Sequence, residues 1–183
     1  MKVEEVEKIC KDTDALQNSE EIMWLFNILD KVSPLKTIVE IGLEWGGSLK
    51  LWEHYLLERF SDYKDILVIG IDMDMSKIRW DLNKSLIHFS LLNKNTFDDD
   101  LPKCVKDILG NREIDYLMID GNHSYEGVRN DFNKLSPLVR AGGVIAFHDV
   151  RTEWDKVGKF VKELNYPSYN EKLIIQGTGI IIK

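Results

Sequence analysis

Cysteine is scarce in this 183-residue chain: Cys10 and Cys104 lie far apart and form no CxxC pair. A disulfide framework or a cysteine-built zinc site has nothing to rest on, and both thiols read as buried or idle. Basic residues are in deficit too, since 24 Lys and Arg against 31 Asp and Glu leave a net charge of −7. Phosphate neutralisation needs a basic surface, so no nucleic-acid partner is expected. No apolar run approaches the length of a membrane span, and the acidic, amphipathic N-terminus lacks the apolar core of a signal peptide. No membrane span and a cytoplasmic location are the expectation. Repeats, low-complexity tracts and long linkers are also missing. What remains, 44% hydrophobic and 30% charged, is ordinary globular composition, and the length suits one domain over 1–183.

The chain is organised around residues 114–150, IDYLMIDGNHSYEGVRNDFNKLSPLVRAGGVIAFHDV. Residues 116–120 read as a buried strand ending in Asp120. A polar turn, an amphipathic helix and a Gly-Gly turn follow, then a second buried strand over 144–149 ending in Asp149. Short, nearly continuous apolar runs suit central strands covered on both faces. The helix between them makes a βαβ crossover, so the strands are parallel and their carboxyl ends open at one edge. Open α/β sheets bind ligands at that edge. Asp120, Asn122 and His123 beside His148 and Asp149 form the leading candidate site.

Apolar residues at helical spacing predict two helices within 1–33, the second capped by Asn18 or Ser19, with their stripes serving as packing surface. From 34 onward strand and helix alternate, the pattern of a three-layer α/β core. Strands are expected at 37–41, 66–71 and 86–89, and helices at 49–60, 76–83, 100–109 and 154–164. A closing hairpin is expected from 173–175 and 179–182 around Gly177.

The first strand runs into EIGLEWGGS, and a strand, a glycine turn and a helix suit a ligand tucked beneath the turn. The dinucleotide fingerprint G-x-G-x-x-G is not met, because Leu43 and Glu44 follow Gly42 and the next glycines are Gly46 and Gly47. No Gly-Lys-Ser/Thr follows either, which removes the Walker pattern. Glu40 and Glu44 flank the turn and would repel a pyrophosphate. S-adenosylmethionine, with its sulfonium and ammonium charges and no phosphate, suits an acidic turn. Asp72, at the tip of the next strand, is placed to accept from two ribose hydroxyls. The bland alternative is a tight turn with solvated acids.

VEIGLEWGGSLKLW, VIGIDMD, the 114–150 segment and the late GTGIIIK together resemble the class I S-adenosylmethionine-dependent methyltransferases. Within them the likeness is to a small branch that includes cephalosporin-hydroxylase-type and macrocin-type O-methyltransferases. The resemblance implies a Rossmann-like fold with a seven-stranded, mostly parallel sheet in the order 3-2-1-4-5-7-6, and methyl transfer by direct displacement. Glu40, Gly42 and Gly46 match the cofactor turn and Asp72 the ribose acid, while Asp120 is assigned to the cofactor edge as well. Asp120 and Asp149 match positions that hold Mg2+ in metal-dependent relatives, with His148 as a third candidate ligand. Two departures stand out: Asn122 and His148 occupy places where relatives often carry acids. Leu91, Leu92 and Asn93 stand where a Gly-Asp pair often lies near the adenine.

Methyl transfer to oxygen needs the hydroxyl aligned and partly deprotonated. His123, together with Asp120, is the candidate for that work; the competing reading has His123 merely orienting Asp120. Trp45 and Trp154 are read as lining a substrate mouth or as packing. Little chain is left for a lid, which suits an extended acceptor. The leading function is an O-methyltransferase acting on a sugar, glycan or other small hydroxylated acceptor, with a homo-oligomer as an open option. Its rivals are a non-catalytic adenosylmethionine-binding regulatory module, favoured by Asn122 and His148, and a nicotinamide oxidoreductase, disfavoured by the failed fingerprint.

Overall fold

A computed structural model describes residues 1–151 and 156–183. Helices α1 (Val3–Thr13) and α2 (Ser19–Leu29) precede strand β1 (Thr37–Ile41), helix α3 (Gly47–Arg59), strand β2 (Leu67–Asp72) and strand β3 (His88–Asn93). Helix α4 (Leu101–Leu109), strand β4 (Ile114–Ile119), helix α5 (Tyr125–Leu135), strand β5 (Val139–His148) and helix α6 (Val157–Glu163) follow, and strands β6 (Asn170–Lys172) and β7 (Thr178–Ile182) close the chain. The strands form one sheet in the order β3-β2-β1-β4-β5-β7-β6, in which β7 runs antiparallel to both its neighbours. This is the Rossmann-like methyltransferase arrangement.

Every residue of β1 and β4 is buried, which is why both read as nearly continuous apolar runs rather than alternating ones. Alternate side chains feed two cores. Ile69, Leu117, Phe147 and Phe160 belong to the core under α4, α5 and α6, whereas Ile38, Leu49, Trp52 and Tyr116 belong to the core under α1, α2 and α3. The Asn18 side chain caps α2, accepting from the Glu20 and Glu21 amides at 3.0 and 3.2 Å, and Ser124 caps α5 by accepting from the Gly127 amide.

Several expectations need correction. Residues 76–83 hold 3₁₀ turns at Met75–Lys77 and Leu82–Lys84 instead of a helix. Asp74 draws the Ser76 amide and hydroxyl onto its carboxylate, and the Arg79 amide donates to the Trp45 carbonyl at 3.3 Å, so this backbone is committed elsewhere. β3 starts two residues later than 86–89 and is longer, pairing with β2 from Leu67↔His88 to Asp72↔Asn93. Gly142 and Gly143 lie inside β5, where the register with β4 shifts between Ile114 and Tyr116 and Gly142 takes φ +73°, so they form an irregularity in the strand and not a turn. The short partner of β7 is 170–172, not 173–175, because Glu21 takes the amides of Ile174 and Ile175 at 2.7 and 2.8 Å. α6 begins at Val157, and Trp154 lies outside the described residues. Among the described residues no helix is long and apolar enough to cross a membrane.

Candidate active site

The carboxyl ends of β1, β2, β4 and β5 border a cleft of about 670 Å3. Its floor is the turn after β1. Gly42 has φ +86°, and a Cβ there would sit 2.0 Å from the Asp120 carbonyl oxygen, so only glycine lets the turn pass over the end of β4. Gly46, φ +80°, is the residue before α3, and its amide donates to the Leu43 carbonyl at 2.7 Å. Asp72 anchors the same turn: one carboxylate oxygen accepts from the amides of Leu43 (2.8 Å) and Glu44 (3.3 Å), the other from Asp74 (2.9 Å). A carboxylate has about four acceptor positions, so one remains for a ligand in the cleft that Asp72 lines.

Glu40 is a different case. Strand alternation turns it away from the cleft lining, to the α3 side, where it is 1% exposed and accepts from Trp52 Nε1 at 2.9 Å. Burial, with Asp120's charge adding to it, pushes its carboxyl up to about 8 despite the bond from Trp52.

Opposite the turn sits a cluster of acids and imidazoles. His148 Nδ1 lies 3.2 Å from Asp120 Oδ1 and 3.1 Å from Asp149 Oδ2, so one nitrogen stands between the two carboxylates. Burial opposes the charge on this ring, but the two carboxylates outweigh it and raise His148 to about 10. Asp120 is held below the usual carboxylate range: burial would raise it, and His148 and His123 more than compensate. His123 reaches the same acids from the cleft side, with Nδ1 at 3.2 Å from Asp149 and Nε2 at 3.5 Å from Asp120.

The ligand atoms of Asp120, His123 and Asp149 lie within 4.8 Å of one another and would fit a cation. His123 thus completes the set where His148 was expected. His148 falls on the inner face of β5 at 5% exposure, with its nitrogen already committed between the acids. Asn122 serves the backbone, accepting from the Ser124 amide at 2.9 Å to start α5. Trp45 lines the cleft, with the Arg79 guanidinium over its ring at 4.6 Å. Gln17 and Gln176 also line it; each sits in a link between elements, Gln176 immediately before the GTGIIIK segment, and nothing in either link marks the glutamine from sequence alone.

Residues 39–150 match the family model described as "Methyltransferase domain". The chain belongs to that methyltransferase family. Demethylmacrocin O-methyltransferase of Streptomyces fradiae is 28% identical over 125 residues, covering 64% of this chain and 28% of that protein. An uncharacterized protein, R132, of Acanthamoeba polyphaga mimivirus is 32% identical over 148 residues, covering 73% of this chain and 63% of its own. The chain therefore spans about a quarter of the first relative and under two thirds of the second. In fold it resembles the MycE methyltransferase of the mycinamycin biosynthetic pathway, solved with Mg, SAH and mycinamycin VI. The TM-score is 0.68 at 16% identity, over 97% of this chain and 54% of that one.

Proposed function

We propose that this methyltransferase-family chain transfers a methyl group from S-adenosylmethionine to a hydroxyl of a sugar, glycan or other small hydroxylated acceptor. The observation that carries the reading is the pairing, across one cleft, of an acid-anchored glycine turn with the His123–Asp149 couple. The turn and Asp72 suit a cationic nucleoside. The opposite side has an imidazole whose Nδ1 is held by a carboxylate and whose other nitrogen makes the longer contact. The name of the Streptomyces relative, and the Mg, SAH and mycinamycin VI bound to MycE, support the same class of reaction.

Bound adenosylmethionine would supply the electrophilic methyl. The acceptor position left on Asp72 would take a ribose hydroxyl, and the Gly42 to Gly47 turn would serve the methionine part, where Glu44 favours positive charge. A neutral imidazole donates through only one nitrogen. His123, beside the Asp149 and Asp120 carboxylates, would take the proton of the acceptor hydroxyl, and the two carboxylates would stabilise the imidazolium that results. Adenosylmethionine held there would supply the methyl, the O–CH3 bond forming as the S–CH3 bond breaks and the neutral thioether leaving. Asp120 and Asp149, with His123 within reach, would hold a divalent cation, which lowers the pKa of a hydroxyl bound to it. Two carboxylates and an imidazole suit manganese or zinc no less than magnesium.

The test is calorimetric titration with adenosylmethionine and NAD, followed by turnover with labelled adenosylmethionine and a panel of sugars and phenols. Adenosylmethionine binding with methyl transfer is expected. Binding without transfer to any acceptor would favour the regulatory-module reading, and NAD binding alone would refute both.

A further inference from the structure

The link between α1 and α2 is short, yet it touches both of the groups around which the cleft is built. Asp14, Ala15, Leu16 and Gln17, four consecutive residues of that link, all line the cleft. On the side of the glycine turn, Ala15 lies against Gly47, where an added Cβ would meet the Ala15 Cβ at 2.8 Å. On the side of the acids, Gln17 donates through Nε2 to Asp120 Oδ2 at 3.3 Å. The link thus runs from the first residue of α3 to the acid that follows β4, with Leu16, 60% exposed, between the two contacts. The cleft keeps about 670 Å3 with the link in place, so the link is a wall of a cavity that can take a ligand and not a plug in it.

What holds this wall is weaker than what holds its surroundings. Asp14 pairs with Arg79 at 2.5 Å, but the two side chains are 60% and 49% exposed, and ion pairs in water contribute little. The Gln17 bond, at 3.3 Å, lies beyond the usual hydrogen-bond range. The element that follows is tied far better: Glu21 of α2, 1% exposed, accepts from the amides of Ile174, Ile175 and Gly177. A buried carboxylate is costly unless such bonds are kept, so α2 stays in place when the link moves. Arg79 is braced as well, with its guanidinium over the Trp45 ring at 4.6 Å and its amide donating to the Trp45 carbonyl at 3.3 Å. The partner of Asp14 is therefore mounted on the glycine turn itself. Asp14 has φ +53°, the left-handed conformation that turns the chain out of α1 and onto the cleft, and aspartate tolerates it better than most residues.

We infer that residues 14–17 form a strap that opens to pass ligands into and out of the cleft and closes again in both the free and the loaded protein, with the Asp14–Arg79 pair and the Gln17–Asp120 bond as its two catches. A catch made in both states sets the rates of exchange and leaves affinity alone, because weakening it raises the open fraction equally with and without ligand. The inference draws on the cofactor reading only for the choice of probe.

The experiment measures association and dissociation of adenosylhomocysteine by stopped-flow tryptophan fluorescence, to which Trp45 in the cleft contributes. The wild type is compared with Asp14→Asn, which suits the left-handed turn but loses the charge, with Arg79→Met and Arg79→Lys, and with Gln17→Leu. Asp14→Asn and Arg79→Met should each raise kon and koff together by about three- to fivefold, the scale of one exposed ion pair, with Kd constant within about twofold. Arg79→Lys keeps the charge and should stay within about twofold of the wild type in both rates. Gln17→Leu should raise both rates about tenfold, the scale of one hydrogen bond to a charged acceptor. Wild-type rates in Asp14→Asn and Arg79→Met would overturn the strap. A rise in kon alone, with tighter binding, would overturn it as well and make the link a plug, and a rise in koff alone would reduce it to an ordinary contact. Should Gln17→Leu fail to fold by circular dichroism, the variants at the exposed positions 14 and 79 decide. A wild type that does not bind adenosylhomocysteine would instead overturn the cofactor reading. The strap is then judged by amide hydrogen exchange in the ligand-free proteins: faster exchange over 14–18 in Asp14→Asn, with α2 unchanged, supports it, and equal exchange overturns it.

Discussion

Glu40→Gln isolates a charge that the fold keeps suppressed. The wild-type carboxyl titrates near 8 in the folded chain against an ordinary 4.5, with burial as the main cause. Between those values the folded state holds a proton that the unfolded state has released. Unfolding then releases a proton, so the stability contributed by Glu40 is fully present below about pH 4.5 and is lost as pH rises through 8. Each pH unit of full coupling is worth about 1.36 kcal/mol, which puts the upper bound near 5 kcal/mol. Local relaxation around a buried carboxylate reduces this, and about 2 kcal/mol is the expected loss between pH 5 and 8.5. Glutamine keeps the carbonyl that accepts from Trp52 Nε1 but cannot ionise. The assay is urea unfolding of both ligand-free proteins at pH 5, 7 and 8.5, comparing midpoints at constant slope. Groups common to the two proteins cancel in the difference. Wild type should lose stability relative to Glu40→Gln as pH rises; parallel curves within about 0.5 kcal/mol would mean that Glu40 is charged or solvated in the folded chain and would refute the reasoning.

Asp72→Ala removes the acceptor for two turn amides and for that of Asp74, as well as the ribose contact, and calorimetry should find adenosylmethionine binding weakened at least about tenfold. Unchanged affinity in a folded variant would count against the cofactor placement. Gly42→Ala should lower stability by about 3 kcal/mol, since φ +86° and the Asp120 carbonyl leave no room for a Cβ. That is a fall in Tm of roughly 6–12 °C, and a wild-type Tm would show the turn to be looser than described. His123→Asn should cut kcat by roughly 10²–10⁴ while leaving adenosylmethionine affinity nearly intact; a kcat within about twofold would remove His123 from the reaction. Prolonged EDTA treatment should lower turnover and added Mg2+ or Mn2+ restore it, without loss of adenosylmethionine binding. Full activity in the metal-free protein, with no gain on adding either ion, would assign activation to His123 alone.

The central sheet was legible because burial on both faces leaves a strong mark. β1 reads as TIVEI, with the same bounds in the structure, and the βαβ unit from β4 to β5 is apparent from its two apolar runs and the helix between them. Legibility faded where a distant side chain decides the backbone. Residues 173–175 look like a strand, yet Glu21, some 150 positions earlier, takes their amides and pushes the pairing back to 170–172. Residues 76–83 carry helix-forming side chains, but Asp74 and the Trp45 carbonyl claim that stretch of backbone.

The acid pair shows the limit from the other side. Asp120 and Asp149 at neighbouring strand ends must repel each other unless something positive lies between them, and that conflict can be read from spacing and crossover alone. Which positive group answers it depends on the alternation of β5, where His148 turns inward at 5% exposure and its Nδ1 meets both carboxylates. A protonated His148 there satisfies the repulsion without a metal and leaves the cleft-facing sides of both acids to His123. With His148 between the acids, a cation is expected to act at the acceptor hydroxyl more than as a tie between the carboxylates. On that account metal removal should lower kcat and spare the fold, whereas His148→Ala, which leaves the two acids unbalanced, should lower the stability of the metal-free protein, read as a fall in its urea midpoint.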